Sequence, residues 1–334
     1  MWEGRGMTRN RILLGIFLLV LLAGGCSLLR SPEKAPPPKE ERPREEEPQN
    51  RVLQLAEAGK EPTLEVFIHE TGETREMKFE EYLAGVVAAE MKTDWPLEAL
   101  AAQAILARTF TLEAIKSKGG APMHGTDACT LVEHFQAYDD SAVNDRVREA
   151  VERSRGMVAT YKGDYIKAWF SAYAGERTAT AKEGLAFREE PPYIKSVKNP
   201  GTKHAPPEDK AWTAVFSKDQ IRAALAELNQ EPGPVNEVAI AERGPTGRAV
   251  TIRVDDVEVA GADFRIALGS TQLKSILIDE IAVAGDKVTF KGRGYGHGVG
   301  MCQWGAYTLA KEGRSPEEIV QYYFDDVEIE KLWD

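Results

Sequence analysis

A chain of 334 residues with 43% hydrophobic and 28% charged side chains is globular material, long enough for one large domain or two modest ones. Its net charge of -11 argues against nucleic acid as a partner, because a phosphate backbone is met by clustered Lys and Arg. Three cysteines are too few for a disulfide framework, so the core has to come from packing.

The N-terminus reads as an address. Arg5, Arg9 and Arg11 precede an apolar run, Ile12 to Ala23, that is short for a membrane span of about 20 residues. The run ends in "LLAGGCS", which resembles a bacterial lipoprotein signal, with the leucine four places before the cysteine instead of the usual three. Residues 1–25 are therefore expected to be a signal peptide. Cys26 is then the lipidated first residue of a mature chain held at the outer face of the cytoplasmic membrane, and an uncleaved anchor is the alternative. Between Ser31 and Asn50, six prolines and ten charges leave no apolar periodicity, so residues 26–50 read as a disordered tether.

Residues 51–334 are expected to fold. A strand, "LEVFIHE", and a turn at Thr71 and Gly72 lead into a helix whose apolar face carries Phe79, Tyr82, Leu83, Val86 and Val87. The next place on that face belongs to Glu90, so a carboxylate heads into the core. A second helix starts at Pro96, with Glu98 at the positive end of its dipole, and runs through "LEALAAQAILARTFTLEAI". A third amphipathic helix, Val143 to Ser154, is stopped by Gly156, and "MVATYKGDYIKAWFSA" then reads as a hairpin turning at Lys162 to Asp164. Ser217 caps a short helix from Lys218 to Leu228. Alternating strands follow from Glu237 to Phe290, interrupted around Phe264 to Leu268. A glycine-rich block from Lys291 to Gly313 delivers His297 and opens a helix with Gln303 and Trp304. The last helix, "SPEEIVQYYF", has Ser315 as cap, Pro316 in its first turn and Glu318 closing a capping box. Together these elements predict an α+β fold, a helix-containing catalytic core with a β-rich subdomain or insertion at about residues 231–290.

Three stretches then point to a family. In chain order they are "VVAAEMKTDWPLEALAAQAILARTFTL", "YIKAWFSAYAGERTATA" with "YIKSV", and "GRGYGHGVGMCQWGAYTLAKEG" with "IVQYYF". They resemble the stage II sporulation protein D and amidase-enhancer (LytB) family, and the resemblance runs from about Leu64 to Val327. It implies a peptidoglycan lytic transglycosylase, cleaving glycan strands without stem peptides to 1,6-anhydromuramic ends beside a partner amidase, in sporulation or wall remodelling. Other family members enhance an amidase, so the alternative is a non-catalytic wall-binding activator of an N-acetylmuramoyl-L-alanine amidase. A zinc amidase using the chain's own His and Cys residues is a third reading.

The resemblance puts Glu90 in the place of the catalytic glutamate. Burial raises a carboxyl's pKa and leaves it able to donate a proton, which agrees with that role. The competing reading is a structural glutamate matched by a buried arginine, for which Arg108 is the candidate; the resemblance makes Arg108 functionally important, holding Glu90 or a substrate oxygen. A glycosidase usually needs two carboxylates, and Asp94 or Glu98 would support hydrolysis. A lytic transglycosylase manages with one, because the sugar's own C6 hydroxyl attacks.

In "HGTDACTLVEHFQAY", His124, Cys129 and His134 stand five apart, nitrogen and sulfur ligands that suit zinc. Family members with a structural zinc here have two His and two Cys; Phe135 occupies the place of the last Cys, so Asp127, Glu133 or water would complete the shell. Gln136 and Tyr138 match positions expected to face the cleft. Ser171, Gly175 and Thr178 match a family turn, with Ala174 in place of a glycine, and are read as sugar contacts or as turn geometry. Lys195 either pairs with a carboxylate or is solvated, and His297 and Gln303 are candidate substrate contacts.

Overall fold

The computed structural model describes residues 50–132, 134–231 and 233–334. The predicted signal peptide, Cys26, the tether up to residue 49 and the candidate ligand Glu133 lie outside the described residues.

The fold is α+β. Asn50 caps α1 (Arg51–Glu57), its side chain accepting from the Val52 N–H. Strands β1 (Thr63–Ile68) and β2 (Glu73–Lys78) form an antiparallel hairpin, and α2 (Phe79–Glu90) follows at once. The first-turn N–H of Glu80 is satisfied by the Glu61 carboxylate at 3.1 Å, which does the work of a missing side-chain cap. Met91 is extended and ends the helix, so Glu90 is its last residue.

Helix α3 (Leu97–Lys118) is buried along most of its length, and its alanines let neighbours approach closely. Glu98 in its first turn, Lys116 and Lys118 in its last and Gly119 as left-handed C-cap suit the dipole and the unsatisfied carbonyls. Short β3 (Ala128–Cys129) pairs in parallel with β1. Helix α4 (Asp145–Arg153) and β4 (Met157–Tyr161) pack against α3. The expected hairpin forms with β5 (Asp164–Tyr165), turning at Lys162 and Gly163, both at positive φ. It is shorter than expected, because the chain leaves the ladder after Tyr165. The short strand β6 (Phe170–Ser171) pairs elsewhere. A five-residue helix α5 (Ala181–Leu185), a 3-10 turn at Pro200–Lys203 and α6 (Pro207–Lys210) complete this half.

A second hydrophobic core begins at Trp212. It holds β7 (Trp212–Ser217), α7 (Lys218–Glu227), β8 (Val238–Arg243), β9 (Ala249–Val254), β10 (Val257–Ala260), α8 (Gly261–Ala267), β11 (Ile278–Ala284) and β12 (Lys287–Gly292). Two three-stranded sheets form it, in the orders β10-β9-β8 and β11-β12-β7. The β-rich part therefore starts at Trp212 and not near residue 231, since β7 is a strand of the same sheet as β12, where both leave the larger core side by side. The interruption of the strands around Phe264 is α8. The chain then returns to the first core through β13 (Met301–Cys302), which pairs with β6, α9 (Gln303–Lys311), α10 (Pro316–Tyr323) with its predicted capping box, and β14 (Glu328–Lys331) on β4.

Buried polar groups join the two cores. Glu183 of α5 accepts from the Thr246 N–H at 2.8 Å and hydroxyl at 3.0 Å. Arg248, almost fully buried, donates to the Ala174 carbonyl at 2.9 Å and the Thr246 hydroxyl at 2.6 Å. Its guanidinium occupies the space beside Gly298, where a Cβ would lie 2.1 Å from Nη2, and Gly298 has φ +77. Glycine is required there for both reasons.

Candidate functional site

Glu90 opens onto a cleft with a cavity volume of about 390 Å³. The larger core contributes Phe110, Phe135, Gln136, Trp169 and His297 to its walls, and the smaller core contributes Arg265, Ile266 and Ser270. Among the described residues, Glu90 is the one carboxylate that lines it. Ile266 and Val132 project their apolar side chains into solvent at this cleft, exposed by 63% and 56%.

Burial pushes the Glu90 carboxyl up to about 7, against the opposing effects of the Ala137 N–H and the Gln303 side chain. Its place at the C-terminus of α2 acts in the same direction as burial, because the negative end of the helix dipole disfavours a carboxylate. The Ala137 N–H donates to Glu90 Oε1 at 3.0 Å. Gln303, the first residue of α9, is itself held by donation of its amide to Gln103 on α3 at 3.3 Å. The site is thus a carboxylic acid that is half protonated near neutrality, with a donor ready for the oxygen when the proton leaves.

His297 lines the same cleft but does not titrate near neutrality. Its Nδ1 accepts from the Val299 N–H at 3.1 Å, its ring also bonds the Phe170 backbone, and burial pushes its pKa down to about 3. A neutral imidazole, tethered by one accepted and one donated hydrogen bond, shapes the wall and does not exchange protons near neutrality.

Arg108 is not at this site. It is fully buried on α3, with Nε donating to Glu80 Oε1 at 3.1 Å, Nη2 to Glu80 Oε2 at 2.5 Å and Nη1 to the Met157 carbonyl at 2.7 Å. Glu80 also accepts from the Gly156 N–H and the Trp333 indole. The ion pair expected for Glu90 exists, but its acid is the glutamate at the other end of α2. The catalytic reading of Arg108 is corrected to a structural one.

The remaining candidates divide. Gln136 reaches the cleft wall and donates to the Thr111 hydroxyl at 3.1 Å, and Gln303 reaches Glu90 itself. Tyr138 does not line the cleft: its ring lies over Gly85, where a Cβ would be 2.3 Å away, and stacks with Tyr82. Ser171 is buried on β6 against Gly296, and its hydroxyl has no partner among the described residues. Gly175 is a left-handed turn whose carbonyl accepts from Asn199, and Thr178 is buried and bonded to the Lys195 carbonyl, so both serve the turn. Lys195 pairs with Asp325 at 3.2 Å, away from the cleft. Glu98 pairs with Arg153, and neither it nor Asp94 lines the cleft. Sequence reasoning missed Trp169, Arg265, Ile266 and Gln103. Arg265 in particular lay in a short break between strands, with no spacing to mark it.

His124, Cys129 and His134 come together, their ligand atoms all within 4.8 Å of one another and His124 Nε2 3.1 Å from His134 Nδ1. Ligands at about 2.0–2.3 Å around a tetrahedral zinc would stand at such separations, so the three donors fit the metal and leave one position open. Asp127 does not complete the set, because its carboxylate is turned to the Glu65 N–H at 2.9 Å. Phe135 packs edge-on against Phe110 and lines the cleft, placing the cluster directly behind a wall residue.

A family model described as "Stage II sporulation protein" matches residues 68–161, and one described as a domain of unknown function matches residues 193–300, which include the second core. The stage II sporulation protein D of Bacillus subtilis strain 168 is 31% identical over 262 residues, 75% of this chain and 74% of that protein. That of Bacillus amyloliquefaciens is 30% identical over 290 residues, 81% of each. The amidase enhancer of Bacillus subtilis strain 168 is 27% identical over 298 residues, 72% of this chain but 39% of the enhancer.

Proposed function

The chain belongs to the stage II sporulation protein D family, and we propose that it acts on the bacterial cell wall as a lytic transglycosylase of peptidoglycan glycan strands. The observation that carries this is a lone carboxyl in the cleft, pushed up to about 7, with no second acid beside it among the described residues. A hydrolase of the usual kind would need that second group. In the proposed reaction, Glu90 gives its proton to the leaving glycosidic oxygen as the bond to the anomeric carbon breaks. The resulting carboxylate, held by the Ala137 N–H and Gln303, takes the proton of the muramic C6 hydroxyl as that oxygen attacks the same carbon. The product is a 1,6-anhydro end, and Glu90 regains its proton.

His124, Cys129 and His134 would hold a structural zinc in this reading. Bound there, it would cross-link the loop behind Phe135 and Gln136 and take no part in the proton transfers. The domain would work outside the cytoplasm, tethered through Cys26.

Peptide-free glycan strands incubated with the protein should yield ends lighter by one water than reducing ends, read by mass spectrometry. Ordinary reducing ends would overturn the transglycosylase in favour of a hydrolase. The relative named an amidase enhancer supports a second reading, a wall-binding activator of an amidase. Undiminished stimulation of an amidase by Glu90→Gln, with no strand cleavage by the native protein, would establish that reading instead.

A further inference from the structure

Among the described residues lining the cleft, Arg265 supplies the one cationic side chain. It stands on α8 of the smaller core, and its Nε donates to the Lys274 carbonyl and its Nη2 to the Ser270 carbonyl, both at 3.0 Å. Two carbonyls therefore fix the guanidinium plane, while Nη1 bonds no described residue. Unlike Arg108, Arg155 and Arg293, each of which has a carboxylate partner, Arg265 forms no ion pair with a described residue.

The position is costly in a specific way. Burial pushes the Arg265 pKa down to about 10, and its charge helps push His297 down as well. A half-buried guanidinium, oriented in advance and lacking an anion, has its strongest available interaction still unmade. Glu90 in the same cleft is half neutral at pH 7, so an anionic ligand entering the cleft meets reduced repulsion.

We infer that Arg265 is a specificity residue that binds a carboxylate carried by the ligand, the lactyl carboxylate of a muramic residue from which the peptide has been removed. This rests on the glycan-strand reading above. A strand that still bears peptides has a neutral amide at the same carbon, and an amide offers Arg265 no charge. Peptide removal thus becomes the condition for tight binding.

The test uses the full chain carrying Glu90→Gln, so that binding is measured without cleavage. Two ligands are compared: peptide-free glycan strands, and the same strands with their lactyl carboxylates converted to methyl esters. A charge-assisted hydrogen bond predicts that esterification weakens binding by about ten- to a hundredfold, and that added salt weakens only the acid form. Placing Arg265→Gln in the same background should weaken acid-form binding by a similar factor and abolish the discrimination, and Arg265→Lys should restore part of it. The ester comparison needs no change at Arg265, so it stands even where Arg265→Gln fails to fold. Equal binding of acid and ester, or discrimination that survives Arg265→Gln, overturns the assignment and leaves the glycan-strand reading intact. Binding of neither form overturns both.

Discussion

Glu90 carries two opposed consequences of one environment. Desolvation leaves it protonated up to about pH 7, which is what a proton donor needs, and makes its ionised form a burden on the fold. Its folded pKa is raised above the unfolded value, so the folded state holds a proton through a window, about 4.5 to 7, in which the unfolded chain has lost it. Stability contributed by this residue is fully present below that window and is lost as pH rises through it. Glu90→Gln keeps an acceptor for the Ala137 N–H and removes the ionisation. Cleavage should be abolished, and the variant's melting temperature should match the native one near pH 4 and exceed it above pH 7, by an amount equivalent to up to about 3 kcal/mol. Melting curves that stay parallel across this range would refute the buried ionisation. Native cleavage should also fall as pH rises above 7, because the donor is then lost. This residue was legible in the sequence because the helical period carried an apolar face straight to it. Arg265 was not, since its meaning comes from a cleft that only tertiary structure assembles.

At the scale of elements, the α2–α3 pair is fixed by a buried charge network that the sequence located only in part. Glu80 and Glu90 lie ten residues apart on one helix, about 15 Å along its axis, and nothing in the spacing tells which of them meets Arg108. The structure answers with Glu80, which also serves Gly156 and Trp333. Arg108→Ala should therefore destabilise the fold by roughly 3–5 kcal/mol by leaving Glu80 buried without its partner, while Arg108→Met combined with Glu80→Gln should cost less. Chemical denaturation measures both, and a stable Arg108→Ala protein with no activity would restore a catalytic role. The loop of His124, Cys129 and His134 gives a parallel test. Added zinc should raise the melting temperature, chelation should lower it, and Cys129→Ala should remove the response. A native melt indifferent to zinc would mean that the donors meet without a metal. Their spacing was legible in the sequence, but the direction of Phe135, toward Phe110 and the cleft, required the packed core.

The described residues form a larger core interrupted by a smaller one, and the cleft owes a wall to each. Hydrophobic periodicity identified strands and helices on both sides, but it reports an element's faces and not its partners. The pairing of β7 with β12 across the intervening chain therefore leaves no mark in the periodicity, and the strand pattern alone places the start of the inserted part too late. The register pairs Trp212 directly with Gly292, which brings the two ends of the insertion within roughly 4.5–5.5 Å of each other. A short Gly-Ser turn can span that gap in place of residues 213–291. The larger core keeps its buried residues from Val52 to Ala205 and from Val299 to Trp333 in such a chain. The carbonyls of Ala174 and Arg177, which Arg248 now satisfies, become accessible to water and cost little. Glu90, Ala137 and Gln303 stay together, whereas Arg265, Ile266 and Ser270 are gone. The shortened protein should melt cooperatively at a somewhat lower temperature and retain the raised Glu90 pKa only in part, because one wall that excluded water has been removed. Its affinity for peptide-free glycan strands should fall by at least about tenfold, the loss expected from removing the guanidinium contact alone. A chain that no longer melts cooperatively would show instead that the smaller core is needed to fold the larger one, and that Glu183 and Arg248 bind two halves of one folding unit.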